Sequence, residues 1–308
     1  MTRNDQFYIM SSAQGQFLTD FLLGGLSGII AKTVAAPLER VKLLLQTQDS
    51  NKQLEGKRYN GFIDCGRRIF LEEGLAAYWR GNSANIIRYF PTSAFNFAFK
   101  DMFNRQFNGY DPHKERFKFI TGSIVAGGLA GTCCTLIIYP LDLGRTRMGV
   151  DVGKTGERQF SNLGNCLKSI YSKSGVRGLY SGLMISIPSI FLYRGLFFGF
   201  FDIGKGLIND YDQKSIFLKF LFAQCVTTSS ETLSYPTDTI RRRMMMNSGL
   251  SSSEKIYSGT MHCIQSIYQK EGLHGFFKGN MSNMIRGLSS SLVLVLYDEI
   301  KKMRKNYK

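Results

Sequence analysis

The chain has 308 residues, with 39 Lys and Arg against 23 Asp and Glu, for a net charge of +16. Such a balance suits nucleic acid, an anionic membrane surface or an anionic small ligand. The bases are spread along the chain without forming a tail, and there is no zinc-spaced Cys/His set, no Walker sequence and no glycine-rich RNP-like strand, so nucleic acid is set aside as a partner.

In chain order, Met1 to Gln16 lacks both the apolar core of a secretory signal and the Arg-rich amphipathic pattern of a presequence, so targeting is expected to be internal. The rest reads as one subdomain built three times, over residues 16–108, 117–208 and 215–305. Each copy predicts a long helix, a loop, a short amphipathic helix, a glycine-bearing turn and a second long helix. In the first copy the helices are Gln16 to Gln46, Gly61 to Glu72 and Asn82 to Phe107. The second has Phe117 to Met148, Leu163 to Ser172 and Leu183 to Leu207, and the third Ser215 to Met246, Thr260 to Lys270 and Met281 to Met303.

The expected class is therefore an all-α membrane protein with six candidate spans. No window holds twenty uninterrupted apolar residues, but Phe17 to Leu45 and Phe117 to Met148 contain few charges. A bundle around an aqueous cavity tolerates a polar helix face, whereas a lipid-exposed span does not. At about 1.5 Å per residue, a helix from Gln16 to Gln46 reaches roughly 46 Å, enough to cross a bilayer at a tilt.

The repeat is marked by proline, any residue, an acid, two residues and a base. The copies are Pro37-Leu38-Glu39-Arg40-Val41-Lys42, Pro140-Leu141-Asp142-Leu143-Gly144-Arg145 and Pro236-Thr237-Asp238-Thr239-Ile240-Arg241. Each proline removes a helix hydrogen bond and predicts a bend. Small residues four apart precede each one: Gly24 with Gly28, Gly127 with Gly131, and Ala223 with Thr227, the spacing that lets membrane helices approach closely. Recurring turns, Glu73-Gly74 to Gly81, Ser174-Gly175 to Gly182 and Glu271-Gly272 to Gly279, put an aromatic beside a glycine at a helix start. That pattern reads equally as a helix cap or as an interfacial site for a lipid phosphate. Cys65, Cys166 and Cys263 fall 28, 26 and 27 residues after the three prolines and mark one repeated helix position, not a disulfide framework.

Together these repeats resemble the mitochondrial carrier family, and the likeness covers Gln16 to Lys305. Ser174 and Ser181 depart from it, standing where the family has an acid and a base. Arg241-Arg242-Arg243-Met244-Met245-Met246 is similar to a hexapeptide of the family's ADP/ATP-carrying branch. The resemblance implies six tilted helices with threefold pseudosymmetry, multi-pass in the mitochondrial inner membrane, that exchange ADP for ATP without covalent chemistry. It also implies bound cardiolipin, no other cofactor, and neither a catalytic nor a metal site.

Glu39 and Lys42, Asp142 and Arg145, and Asp238 and Arg241 are each three apart, near one helix face, and are expected to bridge neighbouring repeats as a matrix-side gate. By resemblance Gln46 braces that gate. Twenty residues after Gly81, Gly182 and Gly279 stand Asp101, Asp202 and Glu299, and three further on Asn104, Lys205 and Lys302. These are expected to form a cytoplasmic-side gate with one base missing at Asn104; Arg105 starts about 100° round the helix, and Asp298 with Lys301 offers an alternative pair in the third copy.

Seven residues after the same glycines come Arg88, Ser189 and Arg286, near mid-membrane, where charge defaults to function. By resemblance Lys32, Arg88 and Arg286 contact substrate phosphates, with Arg242 as a fourth base, while Ser189, Ile190 and Tyr193 receive the adenine. Glu231 does not fit an anion site. It lies seven residues before Asp238 and so on the cavity face, where the ADP/ATP carriers have glycine. Three readings stay open: it pairs with Lys32 or an arginine, it couples a proton to transport, or it alters or abolishes exchange, as in a carrier kept as a subunit of a respiratory assembly.

Overall fold

The computed structural model describes residues 28–107, 115–153, 158–208, 215–251 and 254–287. Gly24, Glu299 and Lys302, the start of the first expected helix and most of the last lie outside the described residues. Helix α1 covers 28–47, and α2, Phe62–Arg68, continues as one π turn to Glu73. Helix α3 is Asn82–Phe107, α4 Arg116–Gly149, α5 Leu163–Leu179 and α6 Leu183–Leu207. Helix α7 is Ile216–Met246, α8 Thr260–Glu271, and α9 begins at 280.

The order is that of three all-α repeats, and within α5 the short helix is broken by a kink at Gly175, at φ 61° and ψ −159°, where the glycine turn is expected. Pro140 and Pro236 sit inside α4 and α7 as expected, and Pro91 and Pro188 add the same defect to α3 and α6.

Among the described residues two helices, Phe117–Gly149 and Leu183–Leu207, are long and apolar enough to cross a membrane. Helices α3 and α7 are as long but carry more polar residues, because their inner faces line a cavity. Outward, Phe97, Phe117, Ile203, Leu207 and Phe217 are exposed, as lipid-facing side chains must be. The buried apolar residues gather instead at the end carrying the short helices. There they form three separate cores, each built around one of Cys65, Cys166 and Cys263. Burial pushes each of these thiols up to about 12, so they stay protonated and act as small apolar groups.

The turn glycines close the ring. Gly81, Gly182 and Gly279 have φ of 82°, 86° and 85°. A Cβ on each would lie 3.2, 2.8 and 3.0 Å from the carbonyl oxygens of Arg145, Arg241 and Lys42 in turn. Each turn thus rests on the motif base of the next repeat. Tyr139 and Tyr235, each just before its proline, donate to the carbonyls of Ser181 (2.7 Å) and Lys278 (3.0 Å) at the same junctions. Gly182→Ala combines a left-handed backbone with a backbone clash, and is expected to cost roughly 2–4 kcal/mol. A lowered thermal unfolding midpoint of the detergent-purified protein would show it.

The small-residue spacing needs a correction. In repeat two the tight approach is at Gly128, where a Cβ would lie 2.2 Å from the Phe191 ring, while Gly127 has 3.7 Å to Arg194 and Gly131 has 3.0 Å to Ile190. Gly28 meets Tyr89 at 2.2 Å in the same way, so the register of contact is set by where the even helix places its aromatic.

Candidate functional site

Three ion pairs lie where the odd helices converge. Arg145 pairs with Glu39, Arg241 with Asp142, and Lys42 Nζ lies 3.2 Å from Asp238 Oδ2, so every repeat is tied to the next. The three-residue spacing puts acid and base on one face, and the proline bend turns that face toward the axis. Gln46 Nε2 donates to Asp238 Oδ2 at 3.2 Å and to Thr239 Oγ1 at 3.1 Å, bracing the third pair. Asp142 is 6% exposed, and removing one partner of such a pair leaves an uncompensated charge at a cost of about 3–5 kcal/mol.

Two supporting asparagines were not singled out from the sequence. Asn85 donates to Glu39 Oε2 at 3.2 Å. Asn283 accepts from Lys42 at 2.9 Å and from Arg286 at 3.2 Å, and donates to Glu231 Oε2 at 2.8 Å. Both stand four residues after a turn glycine, with Ser186 at the equivalent place in repeat two, and that repeated offset was the available signal.

Above the ring is a cavity of ≈450 Å³. Seven bases line it against three acids, so it is electropositive despite the ion pairs. Arg88, Arg242 and Arg286 are brought together on its wall with Ser189, Ile190 and Tyr193. Lys32, alone among the expected phosphate contacts, is not part of that lining; its ammonium lies 4.0 Å from Glu39. Ser189 Oγ shares a 2.7 Å hydrogen bond with Thr237 Oγ1, tying the expected adenine end to the residue after Pro236.

The three arginines are all held by carboxylates. Arg88 Nη1 lies 3.8 Å from Asp142 Oδ1, Arg242 Nε 3.4 Å from Asp238 Oδ1, and Arg286 Nη2 3.4 Å from Glu231 Oε1. Glu231 is therefore placed with an arginine and Asn283, and not with Lys32. Two of the three acids that hold these arginines belong to the ring of ion pairs itself.

The opposite network is only partly within the described residues. Asp202 and Lys205 lie one turn apart near the end of α6. Arg105 pairs with Asp101 of its own helix at 2.8 Å, with both side chains exposed, and among the described residues it makes no ion pair with another repeat. Asn104 instead borders a ≈220 Å³ cavity together with Lys100 and Arg194.

The described residues contain no group of three or more His, Cys, Asp and Glu able to hold a metal. Compared with known proteins, the chain matches the family described as mitochondrial carrier protein over residues 13–111, 117–212 and 212–308. It is 48% identical over 296 residues to ADP/ATP translocase 2 of Bos taurus, covering 95% of this chain and 99% of the relative. The Rattus norvegicus protein of the same name gives the same figures, and ADP/ATP translocase 3 of Homo sapiens is 47% identical over 290 residues, covering 93% of this chain and 97% of the relative.

Proposed function

Because this chain belongs to the mitochondrial carrier family, and is thus a transporter and not an enzyme, we propose that it exchanges ADP for ATP across the mitochondrial inner membrane by alternating access. The observation that carries this reading is the cavity, with seven bases against three acids and Arg88, Arg242 and Arg286 in its lining. Guanidinium groups bind phosphate oxygens bidentately, which suits a di- or triphosphate chain. Tyr193 and Ile190 offer an apolar, aromatic surface for a purine in the same cavity.

The ion pairs supply a coupling. A phosphate chain that takes Arg88 and Arg242 withdraws them from Asp142 and Asp238, the acids that close the ring. Substrate binding thereby weakens the gate, and only such differential interaction shifts a two-state equilibrium. Lys32, 4.0 Å from Glu39, extends the same competition to the third acid.

Glu231 favours a second reading, in which the substrate is another nucleotide or anionic metabolite, because its carboxylate occupies Arg286 in the cavity. A scaffold role within a respiratory assembly is the contrasting class. Cardiolipin is the lipid partner we propose, at the half-exposed aromatics Trp79 and Phe277 beside the turn glycines.

The test is uptake of labelled ADP by the purified protein in cardiolipin-containing liposomes loaded with ATP. Saturable uptake competed by ADP and ATP, and weakly by AMP, GDP or phosphate, is the expected result. Uptake competed better by another anion would move the chain to the second reading, and absence of exchange together with co-purification with respiratory complexes would leave the scaffold.

A further inference from the structure

Arg147 and Arg243 occupy equivalent positions, each seven residues after the motif proline of its repeat. Arg243 is satisfied by Glu271, the acid just before Gly272: Nη2 lies 2.8 Å from Oε2 and Nη1 bonds Oε1. In repeat two the place before Gly175 is taken by Ser174, whose Oγ donates to the carbonyl of Leu250 at 3.1 Å. Arg147 therefore lacks the partner its pseudosymmetric equivalent has.

The consequence is a buried guanidinium poorly served by its surroundings. Arg147 is 8% exposed, and among the described residues no carboxylate lies within salt-bridge distance of it. Its Nη1 reaches the Met246 carbonyl at 3.4 Å and its Nη2 reaches Gln159 Oε1 at 3.5 Å, both at the outer limit of hydrogen bonding, and its Nε finds no acceptor. A buried cation in that state is costly unless something pairs with it.

Arg147 lines a second cavity, of ≈260 Å³, beyond the gate ring and separate from the central one. Lys52 and Lys173 line it as well, with the hydroxyl of Ser169. Among the described residues the one acid on its wall, Asp151, is already engaged by Arg80, by Gln53 at 3.1 Å, and by the amides of Gln159 and Phe160 at 3.0 and 3.1 Å. What remains is one buried and two exposed cations around a space large enough for a tetrahedral anion.

We propose that this cavity binds a phosphate group, either inorganic phosphate or the terminal phosphate of a nucleotide, with Arg147 as its principal contact. The anion takes the place of the missing carboxylate at Ser174. Its walls come from all three repeats, with Lys52 from the first, Arg147 and Lys173 from the second and Gly249, Leu250 and Ile256 from the third. Occupancy therefore ties the repeat ends together and favours the state in which the ion-pair ring is closed.

The experiment is thermal unfolding of the full-length protein in detergent, titrated with sodium phosphate against sodium chloride at constant ionic strength. Ser174→Asp supplies an internal carboxylate beside Arg147, as Glu271 does beside Arg243, and leaves the central cavity untouched. The expected result is a saturable phosphate stabilisation of the unsubstituted protein. Ser174→Asp should raise the midpoint without phosphate and weaken the apparent phosphate affinity at least about tenfold, the size of a charge-assisted hydrogen bond. Arg147→Gln, if it folds, should lose the response, while Arg88→Ala should keep it. In the Arg88→Ala background, competition by ADP would identify a nucleotide phosphate as the occupant, and indifference to ADP would identify free phosphate. A phosphate response unchanged in Ser174→Asp, abolished in Arg88→Ala, or absent from the unsubstituted protein would overturn the assignment.

Discussion

Arg88→Ala is expected to lower ADP/ATP exchange roughly 100-fold while leaving the protein folded. The guanidinium stands on the cavity wall and is 22% exposed, so it is accessible to a ligand and shielded from bulk water. Losing a bidentate charge-assisted contact to phosphate removes about 3 kcal/mol, which corresponds to the stated loss. The fold survives because Asp142, the carboxylate 3.8 Å away, keeps Arg241 as its partner. Arg88→Lys separates charge from geometry: a point charge without the planar fork should recover part of the exchange but not all. The measurement is the initial rate of labelled ADP uptake at a matched quantity of folded protein, and a rate for Arg88→Ala within a factor of three of the unsubstituted protein would remove Arg88 from the phosphate site.

Glu231→Gly should act in the opposite sense on affinity. Glu231 accepts from Asn283 at 2.8 Å and holds Arg286 at 3.4 Å, so in the empty cavity it competes with a substrate phosphate for that arginine. Removing the carboxylate takes away a competitor for Arg286 and raises the cavity's excess of bases from four to five. The apparent KM for ADP is expected to fall about tenfold, the effect of one charged hydrogen bond no longer displaced. Glu231→Gln, which keeps the hydrogen bond to Asn283 but not the charge, should fall between the two. A KM unchanged by both substitutions would mean that the Arg286 pair persists in the substrate-bound state. Exchange appearing only in the glycine variant would show instead that Glu231 has redirected transport to another anion.

The glutamate shows where reading the chain alone had to stop. Its place on the cavity face followed from counting seven residues to Asp238, but its partner, Lys32 or an arginine, and its role remained open. Helical periodicity specifies direction along one element and is silent about what the neighbouring element presents there. The partner proved to be Arg286 on α9, with Asn283 between it and Lys42. The same limit explains why Asn85 and Asn283 were passed over. An asparagine near a helix start reads as polar filler until the acid it braces has been brought to it.

What the sequence by itself determined was the three-fold plan, the helices and the ring of ion pairs. A proline-acid-base spacing repeated three times sets both the bend and the shared face, and these are local consequences of helix geometry. Tertiary structure alone decided the closures between repeats, because they depend on distance across the bundle. Gly81, Gly182 and Gly279 are required by the carbonyls of the next repeat, Gly128 and not the Gly127–Gly131 pair meets the facing ring, and Arg105 turns back to Asp101. The substitution of Ser174 for an acid is visible in the chain as a mild departure. Its cost becomes apparent only when Arg147 is found buried beside a cavity with no ion pair to a carboxylate among the described residues, since burial is what turns a missing partner into an energetic demand.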